Sequence, residues 1–470
     1  MATLEELLVQ QYGFTQFRPG QRELVEAVLK GQDALGVLPT GSGKTLCYQL
    51  PATQMSGLMV VVEPLLALMD DQVARLQARG QKRAVALSSR LEPAVFHQLL
   101  AGLGQVQFLF VAPETLLRPD VLRRLQQLSI ACLVIDEAHC ISQWGPDFRP
   151  AYLQLGQARQ QLRPRCTLAL TATAPKRVRE DIVKQLGLST PQLVVTDVDR
   201  PNVYLGVETV ASPAAKQARA LALVQAVAAA TIVYFDSKAQ AETYAAAFAQ
   251  AGIKAAYYHA GLLPQARELI QRQFMQDQLQ VICATSAFGM GIDKPDIRLV
   301  LYTHVPESLA AYSQGIGRAG RDGQPSVSAV LVAPGDMQRA AQFAAALPDQ
   351  TLIQTVYAHP EAYQEMEDPQ IALVSAYHRA GFAQAAVEAQ LATRRQDKQA
   401  HQAAMADFLS ASGCRRQLWL QYFDSPIKPH TDHCCGPVTP TVLAHLPHAT
   451  AAEAPVEDWR AAFKQLFNQL

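Results

Sequence analysis

The chain has 470 residues, 49% of them hydrophobic, with 41 basic and 41 acidic side chains. That length suits about three domains with ordinary cores. A net charge of zero excludes a chain-wide cationic binder of nucleic acid and leaves a local groove as the form such binding would take. No uncharged apolar run reaches the roughly 18 residues of a membrane span. The start, MATLEELLVQQYGF, carries acids where a secretory leader has basic residues. The expected location is therefore the cytoplasm, in a bacterium the cytoplasm or nucleoid, and no membrane is expected as a partner.

The first strand-like run, 34–38, leads into Pro39-Thr40-Gly41-Ser42-Gly43-Lys44-Thr45 and then a helix-like stretch. The glycines let backbone N–H groups converge on phosphates, and the start of the following helix adds partial positive charge. Lys44 is placed to reach the β- and γ-phosphates, and the Thr45 hydroxyl to ligate Mg²⁺. The full pattern would have glycine at Leu38, so the loop is a shortened form. A glycine-rich turn with a chance lysine is the bland alternative, and the strand–loop–helix context speaks against it. ATP and Mg²⁺ are the expected cofactors.

Apolar runs at 58–62, 108–111, 133–135 and 167–170 alternate with polar stretches of helical period. This is the pattern of a parallel sheet covered by helices. The third run opens Leu133-Val134-Ile135-Asp136-Glu137-Ala138-His139, with two adjacent carboxylates at the end of a buried strand. Ligands gather at that end of an open α/β sheet. Asp136 suits Mg²⁺, and Glu137 suits orienting and deprotonating an attacking water. His139 reads either as a packed imidazole or as a coupling residue.

The pattern pauses near Asp199-Arg200-Pro201-Asn202 and resumes with runs at 232–235, 281–284, 299–302 and 329–332. Two successive α/β units are therefore predicted, 1–200 and 201–338. Beyond them, Ala- and Gln-rich segments read as helices over 339–440, Pro426 to Pro447 reads as loop, and a tail over 441–470 holds one short helix near Val456. Cys47, Cys132, Cys140, Cys166 and Cys283 stand singly, whereas Cys414, Cys434 and Cys435 are close enough to cluster. In a reducing compartment such a cluster points to metal rather than a disulfide.

With these segments in place, the chain resembles the RecQ-type DNA helicases of superfamily 2, over roughly 4–335 and more weakly over 336–436. Gly13-Phe14-Thr15-Gln16-Phe17-Arg18-Pro19-Gly20-Gln21 matches that family's adenine motif. Gln21 would pair with the adenine edge, and Phe14 and Arg18 would stack on it; Phe14 and Phe17 would equally suit a helix staple. After the DEAH residues, His139-Cys140-Ile141-Ser142-Gln143-Trp144-Gly145-Pro146-Asp147-Phe148-Arg149-Pro150 resembles the aromatic-rich loop that links DNA binding to hydrolysis. It makes Trp144 and Phe148 stacking platforms and Arg149 a phosphate contact; a hydrophobic plug is the alternative. Pro146 and Ala151 depart from the family pattern. Thr171-Ala172-Thr173-Ala174 matches the motif joining hydrolysis to lobe movement. Glu63-Pro64-Leu65 resembles a DNA-contacting motif, with Glu63 replacing a small polar residue. Thr115 stands where an arginine is usual.

In the second unit, Ala284 to Pro295 resembles the fifth motif, with Gly291 and Asp293 at the nucleotide. Gln314-Gly315-Ile316-Gly317-Arg318-Ala319-Gly320-Arg321 resembles the sixth, with glycine at 315 in place of an acid. The resemblance makes Arg321 the arginine finger and puts Arg318 beside it at the nucleotide. It also makes Ser237 and Thr285 contacts to the DNA backbone. Its implied fold is two tandem RecA-like lobes of parallel sheet followed by a smaller helical, zinc-binding-like region. Its implied activity is ATP-dependent 3′-to-5′ translocation on single-stranded DNA and unwinding of duplexes in DNA repair and recombination. The partners would be single-stranded and partly duplex DNA, the chain a monomer, its protein partners open. In the family, zinc is held by four spaced cysteines. Here His430-Thr431-Asp432-His433-Cys434-Cys435 replaces the spaced run, so Zn²⁺ would take Cys414, Cys434, Cys435 and His433 or His430; a metal-free knuckle is the alternative. Too few residues follow Cys435 for a further domain of about 50 residues, so a short form without a winged helix is expected. An RNA helicase of the same superfamily and a non-hydrolysing nucleic-acid scaffold are the competing readings.

Overall fold

The computed structural model describes residues 3–142, 150–289, 292–363, 366, 368–427 and 434–447. The first lobe is a seven-stranded, all-parallel sheet of β1 (Ala34–Val37), β2 (Leu58–Val62), β3 (Ala84–Leu87), β4 (Phe108–Val111), β5 (Ile130–Ile135), β6 (Thr167–Thr171) and β7 (Gln192–Val195), in the order β3-β4-β2-β5-β6-β1-β7. Every residue of β1, β2, β4, β5 and β6 is buried. Helices cover both faces, so such strands read as unbroken apolar runs rather than alternating ones. Only the edge strand β7 is largely exposed.

The second lobe repeats the plan with β8 (Val203–Thr209), β9 (Thr231–Tyr234), β10 (Ala255–Tyr258), β11 (Val281–Ala284), β12 (Leu299–Tyr302), β13 (Ser326–Val332) and β14 (Cys435–Gly436), in the order β10-β11-β9-β12-β13-β8-β14. Ser212 and Ser308 start helices here, each accepting the N–H three residues on. The first sheet ends at Val195 and the second begins at Val203, bracketing the pause in the sequence pattern.

The region after the lobes is less uniform than its composition suggests. The helices Gln350–Ala358 and Pro369–Arg379 and the first half of Gln384–Ser410 close a small core of Ile353, Val356, Val374, Tyr377, Val387 and Leu391. Leu153 of the first lobe packs into that core, and the Gln154 amide donates to the Ala380 carbonyl. The helix Gln384–Ser410, about 40 Å long at 1.5 Å per residue, then inserts Met405, Phe408 and Leu409 into the core of the second lobe.

The Pro- and His-rich stretch differs from the loop expected of it. Cys435–Gly436 pairs with β8, the helix Pro440–Ala444 follows, and Val438 and Leu446 are buried in the second lobe. The physical reason is Gly206 of β8: a Cβ there would lie 2.5 Å from Val438 Cγ2, so only glycine leaves room for the returning chain. The helix expected near Val456 lies outside the described residues. No described helix is long and apolar enough to cross a membrane.

Candidate active site

The phosphate loop leaves β1 after the Leu38 amide donates to the Thr171 carbonyl, 3.0 Å away. Gly41 and Gly43 hold φ of 81° and 75°, left-handed values that cost a side-chain-bearing residue about 1–2 kcal/mol. The loop is held from outside by the adenine motif. Gln21, 3% exposed, donates from Nε2 to the carbonyls of Ser42 (2.7 Å) and Gly43 (3.1 Å), while its Oε1 accepts the Arg18 N–H at 2.9 Å. The Arg18 guanidinium donates to the Gly41 carbonyl. Both polar atoms of Gln21 are thus engaged with the loop and with Arg18 rather than turned to a base. Phe14, half exposed, lines the cleft beside them. The Ser42 hydroxyl is buried and has no hydrogen-bond partner among the described residues. Thr40, Lys44 and Thr45 line the same cleft.

The acids arrive from β5. The Asp136 N–H donates to the Val62 carbonyl, and the Asp136 carboxylate accepts the Glu137 N–H, both at 2.9 Å. Glu137 adopts φ 46°, ψ 45°, a left-handed conformation rare for a residue with a side chain. Burial, and next the Glu137 carboxylate, push the Asp136 carboxyl above its usual range, with Lys44 partly offsetting them. Burial also works against ionised Glu137, but Lys44, His139 and Arg318 outweigh it and hold its carboxyl low. A half-buried acid raised by its surroundings and by a neighbouring carboxylate is a position a divalent cation relieves, so Asp136 with Thr45 fits Mg²⁺.

His139 is 1% exposed. Its Nδ1 lies 2.9 Å from Thr171 Oγ1 and 3.3 Å from the Glu137 carboxylate, and its Nε2 lies 3.3 Å from Gln314 Nε2 of the second lobe. Gln314 can donate only to a neutral imidazole with its proton on Nδ1. Thr171 Oγ1 donates to the Thr173 carbonyl at 3.2 Å. Glu137, His139, Thr171, Thr173 and Gln314 therefore form one polar chain across the cleft.

Glu63 is the residue whose place the sequence did not indicate. It directly follows β2, which pairs with β5 so that Val62 faces Ile135. Glu63 therefore stands beside Asp136 in the nucleotide cleft, 3% exposed. Burial, then Asp136 and Glu137, push its carboxyl far up. Only the strand order brings the two acids together.

Across the cleft, Arg321 donates from Nη1 to Asp293 at 2.8 Å and from Nε to the Gly317 carbonyl at 3.2 Å. Its aliphatic stem lies on the phosphate loop: a Cβ on Gly41 would meet Arg321 Cδ at 3.1 Å. Asp293 also faces Arg75 of the first lobe at 3.9 Å. Arg318 donates to the carbonyls of Gly289 (3.0 Å) and Gln314 (2.7 Å) and lines the cleft with Arg321. These groups enclose about 430 Å³ between the lobes. Ser237 caps the helix Lys238–Gln250 by position, with no side-chain capping bond, and Thr285 follows β11 half-buried. Trp144, Phe148, Arg149 and Gly291 lie outside the described residues.

The cysteines gather elsewhere. The sulfurs of Cys414, Cys434 and Cys435 lie 3.4, 3.7 and 3.9 Å apart. Tetrahedral zinc with Zn–S bonds of about 2.3 Å separates its sulfurs by about 3.8 Å, so three corners of such a site are in place. His433 and His430 lie outside the described residues. Next to the cluster, Arg416, 1% exposed, pairs with Asp199 at 2.7 Å and donates to the Arg200 carbonyl at 2.9 Å. The cysteine region is thereby fastened to the link between the lobes.

Comparison with known proteins finds the DEAD/DEAH box helicase family over residues 18–182 and the helicase conserved C-terminal domain over 216–323. A probable ATP-dependent DNA helicase RecS of Bacillus subtilis (strain 168) is 38% identical over 490 aligned residues, covering 100% of this chain and 98% of that protein. The ATP-dependent DNA helicase RecQ of Synechocystis is 39% identical over 339 residues, 70% of this chain and 71% of that one. Against the Haemophilus influenzae RecQ, 38% identical over 71% of this chain, the match spans 54% of the relative. Among solved structures, Mycobacterium smegmatis helicase Lhr bound to single-stranded DNA and AMP-PNP shares the fold, with a TM-score of 0.60 at 20% identity, over 91% of this chain and 63% of that one.

Proposed function

Because the chain belongs to the RecQ-type DNA helicases, ATP-hydrolysing enzymes of the DEAD/DEAH box class, we propose that it couples ATP hydrolysis between its lobes to 3′-to-5′ movement along single-stranded DNA, and so unwinds duplexes in DNA repair and recombination. The observation that carries the nucleotide part is the approach of Arg321 to Gly41, which brings a cation of one lobe onto the phosphate loop of the other. Lys44 and the loop amides would bind the phosphates, Arg321 and Arg318 would meet charge developing on the transferred group, and Glu137 would take a proton from the attacking water. Mg²⁺, held by Thr45 and Asp136, would supply charge neutralisation between the phosphates. The His139–Gln314 contact gives closure a route to the catalytic carboxylates.

The grip on DNA would come from Ser237 and Thr285 on the second lobe and from Trp144, Phe148 and Arg149, which enter on their resemblance alone. The experiment is ATPase and strand displacement on tailed duplexes of both polarities, with single-stranded DNA and RNA as activators. Stimulation by DNA and displacement from a 3′ tail are expected. Stronger stimulation by RNA, or displacement from a 5′ tail only, would overturn the reading.

For the cysteine cluster, Cys414, Cys434, Cys435 and His433 or His430 would hold one structural Zn²⁺. Metal analysis of the purified chain should give one zinc per chain, and a stoichiometry well below one rules the site out.

A further inference from the structure

A second cleft, of about 620 Å³, opens on the second lobe. Its floor is built at the carboxyl ends of β9, β11 and β12, by Asp236, Thr285 and Tyr302. Its far wall comes from outside the sheet, from Arg339 and Phe343 on the helix Asp336–Ala345 and Lys398 on the long helix Gln384–Ser410. Phe343 is 60% exposed, more than any other large apolar side chain among the described residues. Arg339 precedes it by one helical turn, so the ring and the cation share one face, and both line the cleft.

The charges leave that cation available. Lys398 is held by Glu307 at 2.9 Å, and the buried acid Asp336 is paired with Lys216. Arg339 is exposed and has no ion-pair partner among the described residues. The floor also lacks an acid at position 315. Gly315 lies there instead, and the Tyr302 hydroxyl sits 1.7 Å from where its Cβ would be, so no side chain fits. Apart from the exposed carboxylate of Asp236 on the floor, the surface thus offers a flat ring, hydroxyl groups and one unpaired guanidinium. A flat aromatic body with a neighbouring anion meets all three, whereas a peptide strand would find no exposed sheet edge here to pair with.

We propose that this cleft is a nucleotide subsite for single-stranded DNA, with a base stacked on Phe343 and its neighbouring phosphate at Arg339. The proposal rests on the DNA-translocase reading above and extends the strand's path beyond Thr285 onto the helical region. Binding of a labelled oligothymidylate to the full chain, followed by anisotropy over a range of salt, tests it. Stacking worth about 1–3 kcal/mol per base predicts that Phe343→Ala weakens binding about tenfold and that Phe343→Trp does not. Arg339→Ala should lower the slope of log K against log salt by about 0.7. ATP turnover without DNA should be unchanged in all three, and the exposed positions leave melting unaltered. Wild-type affinity and salt slope in both alanine variants overturn the subsite while leaving the DNA reading intact. A wild-type chain that binds no oligothymidylate overturns both. A change in self-association without a change in DNA binding assigns Phe343 to protein contact and also overturns the subsite.

Discussion

Lys44→Ala is expected to cut DNA-stimulated ATP turnover by about 10³-fold, the upper range for removing one preorganised group that meets transition-state charge. Lys44 is a counter-charge to Asp136, Glu137 and Glu63 at once. Its loss removes a phosphate ligand and also leaves the carboxylates of Asp136 and Glu137 facing the incoming polyanion, so nucleotide binding should fall as well as kcat. Steady-state turnover at saturating DNA and Mg²⁺, with nucleotide affinity measured separately, checks this. Near-normal DNA-stimulated turnover would sink the phosphate-loop assignment. Lys44→Arg keeps the charge but not the compact ammonium, and should restore binding more than turnover.

The second large effect belongs to Arg321. An arginine supplied to the transferring phosphoryl group is worth about 10³–10⁵ in kcat, so Arg321→Ala should lower kcat by at least about 10³-fold while changing nucleotide affinity little. The split distinguishes it from Lys44. Arg298 is a built-in control of the same residue type: it pairs with Asp322 at 3.0 Å and lies outside the cleft lining. Its substitution should act through stability and spare kcat per folded molecule. An Arg321→Ala enzyme with wild-type kcat would move the finger role elsewhere, and Arg318 is the next candidate by position.

Most of the site was legible because its chemistry is local. The phosphate loop, Asp136-Glu137 and the Arg318/Arg321 pair each lie within a few residues, and their apolar flanks mark strands. What was not legible depends on distance. Glu63 reaches the cleft through the β2–β5 pairing, which no residue pattern near Glu63 encodes. Gln21 suited a base edge by its donor–acceptor amide, yet the same amide satisfies loop carbonyls 21 and 22 residues away. The strands β3 and β10, AVAL and AAYY, are too short and alanine-rich to stand out from helix formers. The small core of Ile353, Val374 and Leu391 was hidden for a related reason: it is assembled from three separate segments, QTLIQTVYA, PQIALVSAYHR and the Ala- and Gln-rich start of Gln384–Ser410, and no local pattern says that they pack on one another. Val438 and Leu446 are two apolar residues in a Pro-rich stretch, and only the gap above Gly206 gives them a place.

The two-residue strand β14 has a consequence for how the protein behaves in a crowded solution. Strand β8 is seven residues long, and without a neighbour on that side its backbone N–H and C=O groups would form a ready template for a strand of another molecule. Cys435 and Gly436 lie against Leu205 and Gly206, in the middle of that row, where even a short cover interrupts any intermolecular register. Because Cys435 belongs to both the cysteine cluster and the cover, oxidation of the cluster would do more than loosen a knuckle. It would free a sticky edge, and the first symptom of damage there would be aggregation rather than a slower motor.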